Sequence, residues 1–90
     1  MSPPLRRRYG HMAPAVLRKN GYVFRFVSAD GSEPPHVHVE YGGGEAKFWL
    51  DPVHKAWARR MKKHDERRAE RYVRSHAAEL LEGWHEHFGT

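Results

Sequence analysis

Ninety residues give one domain with room for one modest core, close to the size below which small proteins usually need cross-links. The absence of cysteine excludes disulfides and thiolate metal sites, and no apolar run is long enough to span a membrane, so a cytoplasmic protein is the default expectation. The 16 Lys and Arg against 11 Asp and Glu leave a formal charge of +5. Eight histidines raise it further as pH falls, so nucleic acid or an acidic protein suits as partner, and a merely solvated basic surface is the bland reading.

Met1 to Pro14, MSPPLRRRYGHMAP, has three prolines, the basic run Arg6-Arg7-Arg8 and no periodicity, so residues 1–14 read as a disordered basic tail ahead of a domain at 15–90. It lacks the apolar centre of a secretory signal. Gly10-His11-Met12 resembles the junction some expression vectors leave, which makes Met12 an alternative start; an Arg-rich arm for RNA is the functional alternative.

Val16 to Lys19 suits a short strand before Asn20-Gly21, a strong hairpin-turn signal between apolar residues. Tyr22, Phe24 and Phe26 then alternate with Val23, Arg25 and Val27, which puts the aromatic side in the core and Arg25 on a polar face. SADGSEPP, from Ser28 to Pro35, stacks Asp-Gly and Pro-Pro signals into a loop with an extended exit toward His36.

The richest stretch is PPHVHVEYGGGEAKFWLDP, from Pro34 to Pro52. His36, His38 and Glu40 alternate with Val37, Val39 and Tyr41; after Gly42, Gly43 and Gly44, the residues Glu45, Lys47 and Trp49 alternate with Ala46, Phe48 and Leu50. Period two makes both runs strands. One apolar face results only if the hairpin keeps the two runs in phase. A two-residue turn does so with His38 opposite Lys47, and a four-residue turn does so with Glu40 opposite Lys47. Either register collects two imidazoles, two carboxylates, an ammonium and an indole on the other face.

Beyond Trp49, Asp51-Pro52 has the form of a helix N-cap with Pro at the first helical position. Val53, Trp57 and Met61 fit a helix, while Val53, Lys55 and Trp57 fit a further strand. From Asp65, a plausible N-cap, Ala69, Tyr72, Val73, His76, Leu80, Trp84 and Phe88 recur at helical spacing up to Gly89, with Gly83 marking a bend or close packing. The expected fold is α+β: a small antiparallel sheet of three to four strands covered by one long C-terminal helix.

Three chemistries compete for the polar strand face. His36, His38 and Glu40 project together, yet span about 13 Å at the usual strand rise, too far for one ion without a bulge, so no metal or other cofactor is assigned. General acid-base chemistry on RNA has its parts: His36 and His38 as acid and base, Glu40 to orient a histidine, Arg25 and Lys47 for the phosphate charge, and Trp49 to stack a base. A binding module is the third, using this face or the stripe Arg59, Arg60, Lys62, Lys63, Arg67, Arg68, Arg71 and Arg74 to meet phosphates or an acidic partner. Glu66, Glu70 and Glu79 weaken that stripe, and a solvated face is its plainer reading.

With PPHVHVEYGGGEA joined to the later LLEGWHEHFG, the chain resembles the bacterial family called domain of unknown function DUF4160, from about Val16 to Phe88. The carrying elements are Pro34-Pro35-His36-x-His38-x-Glu40, the glycine turn, Glu45-Ala46, and Leu80-Leu81 ahead of Trp84. The resemblance implies a short strand after Asp51-Pro52, which favours strand for Val53 to Trp57. It also implies a place in a toxin-antitoxin-like gene pair, hence a cognate small antitoxin-like protein partner. Toxins of this size are commonly ribonucleases or translation inhibitors, so it raises the reading of a toxin-like, metal-independent endoribonuclease. The rival is a non-catalytic or antitoxin-like module that binds a cognate protein through its polar face or a sheet edge.

Overall fold

The computed structural model describes residues 15–27 and 31–90. The expected N-terminal tail with its arginines, and part of the SADGSEPP loop, lie outside the described residues. Five strands, β1 (Ala15–Lys19), β2 (Tyr22–Arg25), β3 (His36–Tyr41), β4 (Gly44–Leu50) and β5 (Val53–Arg59), precede two helices, α1 (Lys63–Ser75) and α2 (Ala77–Phe88). The strands pair antiparallel in chain order, β1-β2-β3-β4-β5, so the architecture is α+β.

Two-residue turns set the registers. Asn20 and Gly21 have φ of 48° and 87°, and Gly42 and Gly43 have φ of 59° and 81°; positive φ at both central positions matches the twist of the flanking strands. The second turn places Tyr41 opposite Gly44 and His38 opposite Lys47, which decides between the two in-phase loops. Gly44 is required for another reason: a Cβ there would lie 2.0 Å from the carbonyl oxygen of Arg60, where the chain leaves β5.

With the register fixed, Tyr22, Phe24, Phe26, Val37, Val39, Ala46, Phe48 and Leu50 line one side of the sheet. Ala69 and Val73 of α1 and Leu80 and Trp84 of α2 close the core against them. The first helix lies over β4 and β5, the second over β3 and β4. Removing such side chains from water, at about 1.5–3 kcal/mol each, is what binds the helices to the sheet. Tyr22 anchors one end: its ring stacks on Tyr41 at 3.9 Å and its hydroxyl donates to the carbonyl of Asp65 at 3.2 Å. Burial, helped by the Asp65 charge, holds the Tyr22 phenol above its ordinary pKa.

Four sequence expectations need correction. The sheet has five strands rather than three to four, because β1 and β5 both form. Asp51-Pro52 is the tight turn joining β4 to β5, not a helix start, since Leu50 and Val53 already pair across it. The single long helix is two: His76, at φ −114° and ψ 17°, leaves the helical conformation between α1 and α2. The break thus falls at His76 and not at Gly83, whose position is a packing matter: a Cβ there would sit 3.4 Å from the Phe26 ring. Finally, Lys62 stands at the N-cap position of α1 without a side-chain capping bond, and Asp65 lies inside the first turn with Glu66, where their charges favour the positive end of the helix. Gly89 ends α2 in the left-handed conformation, as expected. No helix among the described residues is long and apolar enough to cross a membrane.

Candidate functional site on the open sheet face

Alternation sends the remaining side chains of the strands to the face the two helices do not cover. Cross-strand pairing orders them into three rows: Val23, Glu40, Glu45 and Arg59; then Arg25, His38, Lys47 and Trp57; then His36, Trp49 and His54. By register all six residues singled out in the sequence, His36, His38, Glu40, Arg25, Lys47 and Trp49, fall on this side, although His36 at the start of β3 is also reached by Trp84 of α2. Directly opposed side chains on such a face are within contact distance.

In the middle row, His38 Nδ1 lies 3.2 Å from Glu45 Oε2, and the His38 side chain is only 12% exposed. A carboxylate only accepts, so Nδ1 is the donor in this hydrogen bond and Nε2 is the nitrogen turned away from Glu45. The carboxylate that orients His38 is thus Glu45; Glu40 instead meets Arg25 Nε at 3.3 Å. Glu45 also holds Arg59 at 3.4 Å through its other oxygen.

Lys47 sits at the centre of the face. Its Nζ is 2.7 Å from Glu33 Oε1, in the loop before β3, and 4.6 Å from the Trp49 ring centre. Arg59 caps Trp57 at the same 4.6 Å, and the Trp57 ring meets His38 at 5.9 Å. Two indoles, each with its own cation, therefore flank the His38-Glu45 pair.

His36 differs from the rest. It is fully buried, with its ring 5.4 Å from Trp49, 5.3 Å from His38 and 5.0 Å from Trp84 of α2. Its Nδ1 donates to the Pro34 carbonyl at 2.9 Å, with Glu33 Oε1 at 3.7 Å. This is a ring that braces His38 rather than one that reaches solvent. Among the described residues, no group of three His, Asp or Glu side chains is arranged to hold a metal ion.

Glu33, Trp57, Arg59 and His54 are site neighbours that period-two reading missed. A bulge opposite Lys47 and Phe48 adds one residue to β5, so Lys55 turns to the helix side and bonds Glu66 at 2.8 Å while Trp57 turns to the open face. Simple alternation puts Lys55 and Trp57 on the same side. The aromatic-plus-cation spacing of Trp57 and Arg59, repeating that of Trp49 and Lys47, is the signal that could have found them.

No curated protein and no solved structure matches the chain. Residues 21–85, which take in β2 to β5 and most of the helix layer, match the family described as a domain of unknown function (DUF4160), and the chain belongs to that family.

Proposed function

We propose that the chain is the toxin-like component of a bacterial toxin-antitoxin-type pair and acts on RNA at its open sheet face. The observation that carries this reading is the His38-Glu45 pair, set between Lys47 and the two cation-capped indoles. In a metal-independent cleavage, Nε2 of His38 takes the proton of a ribose 2′-hydroxyl as that oxygen attacks the adjacent phosphate. Glu45 steadies the imidazolium that forms, Lys47 and Arg25 meet the charge that builds on the phosphate, and Trp49 stacks a base. His36 acts by positioning His38. With His36 buried, the leaving oxygen takes its proton from water, which makes slow turnover the expectation.

The test is growth and RNA integrity after inducing the wild-type chain and His38→Gln side by side at equal soluble expression. Growth arrest with RNA loss, both relieved in His38→Gln by a hundredfold or more in cleavage rate (about the usual contribution of one acid-base group), supports the reading. Normal growth with intact RNA refutes it.

A second reading has its own observation. Lys47 and Arg59 are already matched by Glu33 and Glu45, so much of the face is electrically balanced, as suits an interface with a cognate protein. In that case His38→Gln weakens complex formation and has no catalytic phenotype.

A further inference from the structure

We infer that the open face binds a dinucleotide step of single-stranded RNA, with Trp49 and Trp57 stacking two successive bases and Lys47 taking the phosphate between them in place of Glu33. The inference rests on the RNA reading above and deepens it, adding a second base subsite on β5 and an anion site that the protein fills with its own carboxylate.

The placement of Lys47 carries the argument. It lies two residues from Trp49 on β4 and directly across from Trp57 on β5, so Lys47 stands beside both indoles on one face, its ammonium over Trp49. Each indole carries a cation at 4.6 Å, Lys47 on Trp49 and Arg59 on Trp57. A nucleobase stacks on an indole more strongly than an exposed cation holds it, so a base displaces Arg59 from Trp57, while Lys47 beside Trp49 is placed to turn to the phosphate. Single strands suit this arrangement, because the bases of a duplex are stacked inside and cannot lie on a protein ring.

Glu33 supplies the second, independent mark of an anion site. Its Oε1 lies 2.7 Å from Lys47 Nζ, and it comes from the loop before β3 rather than from the sheet. The Glu33 side chain is 42% exposed while that of Lys47 is 12% exposed. A carboxylate on the loop thus covers a largely buried cation seated against the Trp49 ring. It stands where a phosphate oxygen would bind, and it must leave when one does.

Tryptophan fluorescence gives the test, since Trp84 is buried at 2% and serves as the internal reference for the two indoles of the face. The probe is a short oligouridylate methylated on its ribose hydroxyls, which binds without being cut, beside a duplex RNA of the same length. The single strand is expected to quench Trp49 and Trp57, with Trp49→Phe and Trp57→Phe each removing part of the quench and the affinity falling about tenfold for Trp57→Ala. Thermal melts confirm that each variant is folded. Lys47→Met should weaken binding and lower the salt slope by about 0.7, as for one phosphate on a single strand. Glu33→Ala should tighten binding about two- to fivefold, the scale of one exposed ion pair.

Absence of quenching, equal binding of the duplex, or a Glu33→Ala variant that binds no tighter overturns the inference. Failure of the ribonuclease reading shows separately, as binding of this probe without cleavage of the unmodified strand. A face that captures a protein instead shows neither quenching nor any response of probe binding to Lys47→Met.

Discussion

The two faces of the sheet are built from the same five strands and obey opposite rules. On the helix side a buried apolar core dominates, with Lys55 at its margin paired to Glu66, so its contribution is mainly area removed from water and its tolerance for change is low. The open side holds ion pairs and rings at partial exposure: His38 with Glu45, Lys47 with Glu33, Arg59 with Glu45, and a cation on each indole. Exposed pairs of this kind add little stability, at most about 1 kcal/mol each. A surface of this composition is the one the proposed RNA binding would use.

That contrast can be broken at its strongest point first. Trp84 touches Phe26, Phe88 and His36 at the centre of the helix layer, and Trp84→Ala should cost about 3–5 kcal/mol, measured by urea unfolding. Because His36 leans on Trp84, the same variant should also disturb His38, visible as a shift of its imidazole resonances. A loss under 1 kcal/mol would mean the helix layer is not what closes the core.

Tyr22 sharpens the comparison by pH. Its phenol is held above the ordinary value of 10.0 by burial, with the Asp65 charge adding to the effect. The sign is fixed: the unfolded chain ionises first, so the stability from the neutral buried phenol is complete below pH 10.0 and is lost as pH rises toward the folded value. Tyr22→Phe should cost about 1 kcal/mol at neutral pH through the lost bond to Asp65 and should flatten this part of the alkaline decline. An unchanged decline in Tyr22→Phe would rule the mechanism out.

The smallest stability effect belongs to the open face. Glu45→Gln removes the carboxylate charge that faces both His38 and Arg59, and we expect under about 1 kcal/mol of destabilisation by the same urea assay. Under the proposed ribonuclease reading its effect on cleavage should be far larger than that, because Glu45 orients His38. Comparable losses on both scales would mean that the face is structural.

Much of this was legible in the chain. The alternation around His36, His38 and Glu40, the aromatic run at Tyr22, and the helical spacing from Ala69 to Trp84 follow from local periodicity, which is set by backbone geometry before any tertiary contact exists. The Asn20-Gly21 turn was equally plain, because residue types with access to positive φ advertise themselves. What failed was whatever depends on a distant neighbour. Asp51-Pro52 carries helix-start chemistry, yet Leu50 and Val53 pair across it. His76 is an ordinary helix-face residue by spacing and is the break between α1 and α2 in fact.

The sequence alone determined that one face would be apolar and the other would gather His38, Glu45, Lys47 and Trp49, since a strand has only two sides. Only the tertiary structure decided that Glu45 rather than Glu40 orients His38, that His36 is sealed beneath Trp49 and Trp84, and that a bulge turns Trp57 to the open side. The physical reason is range. Periodicity is a property of a few consecutive residues, whereas partners, burial and bulges are fixed by how one strand meets the next and by which helix lies across them.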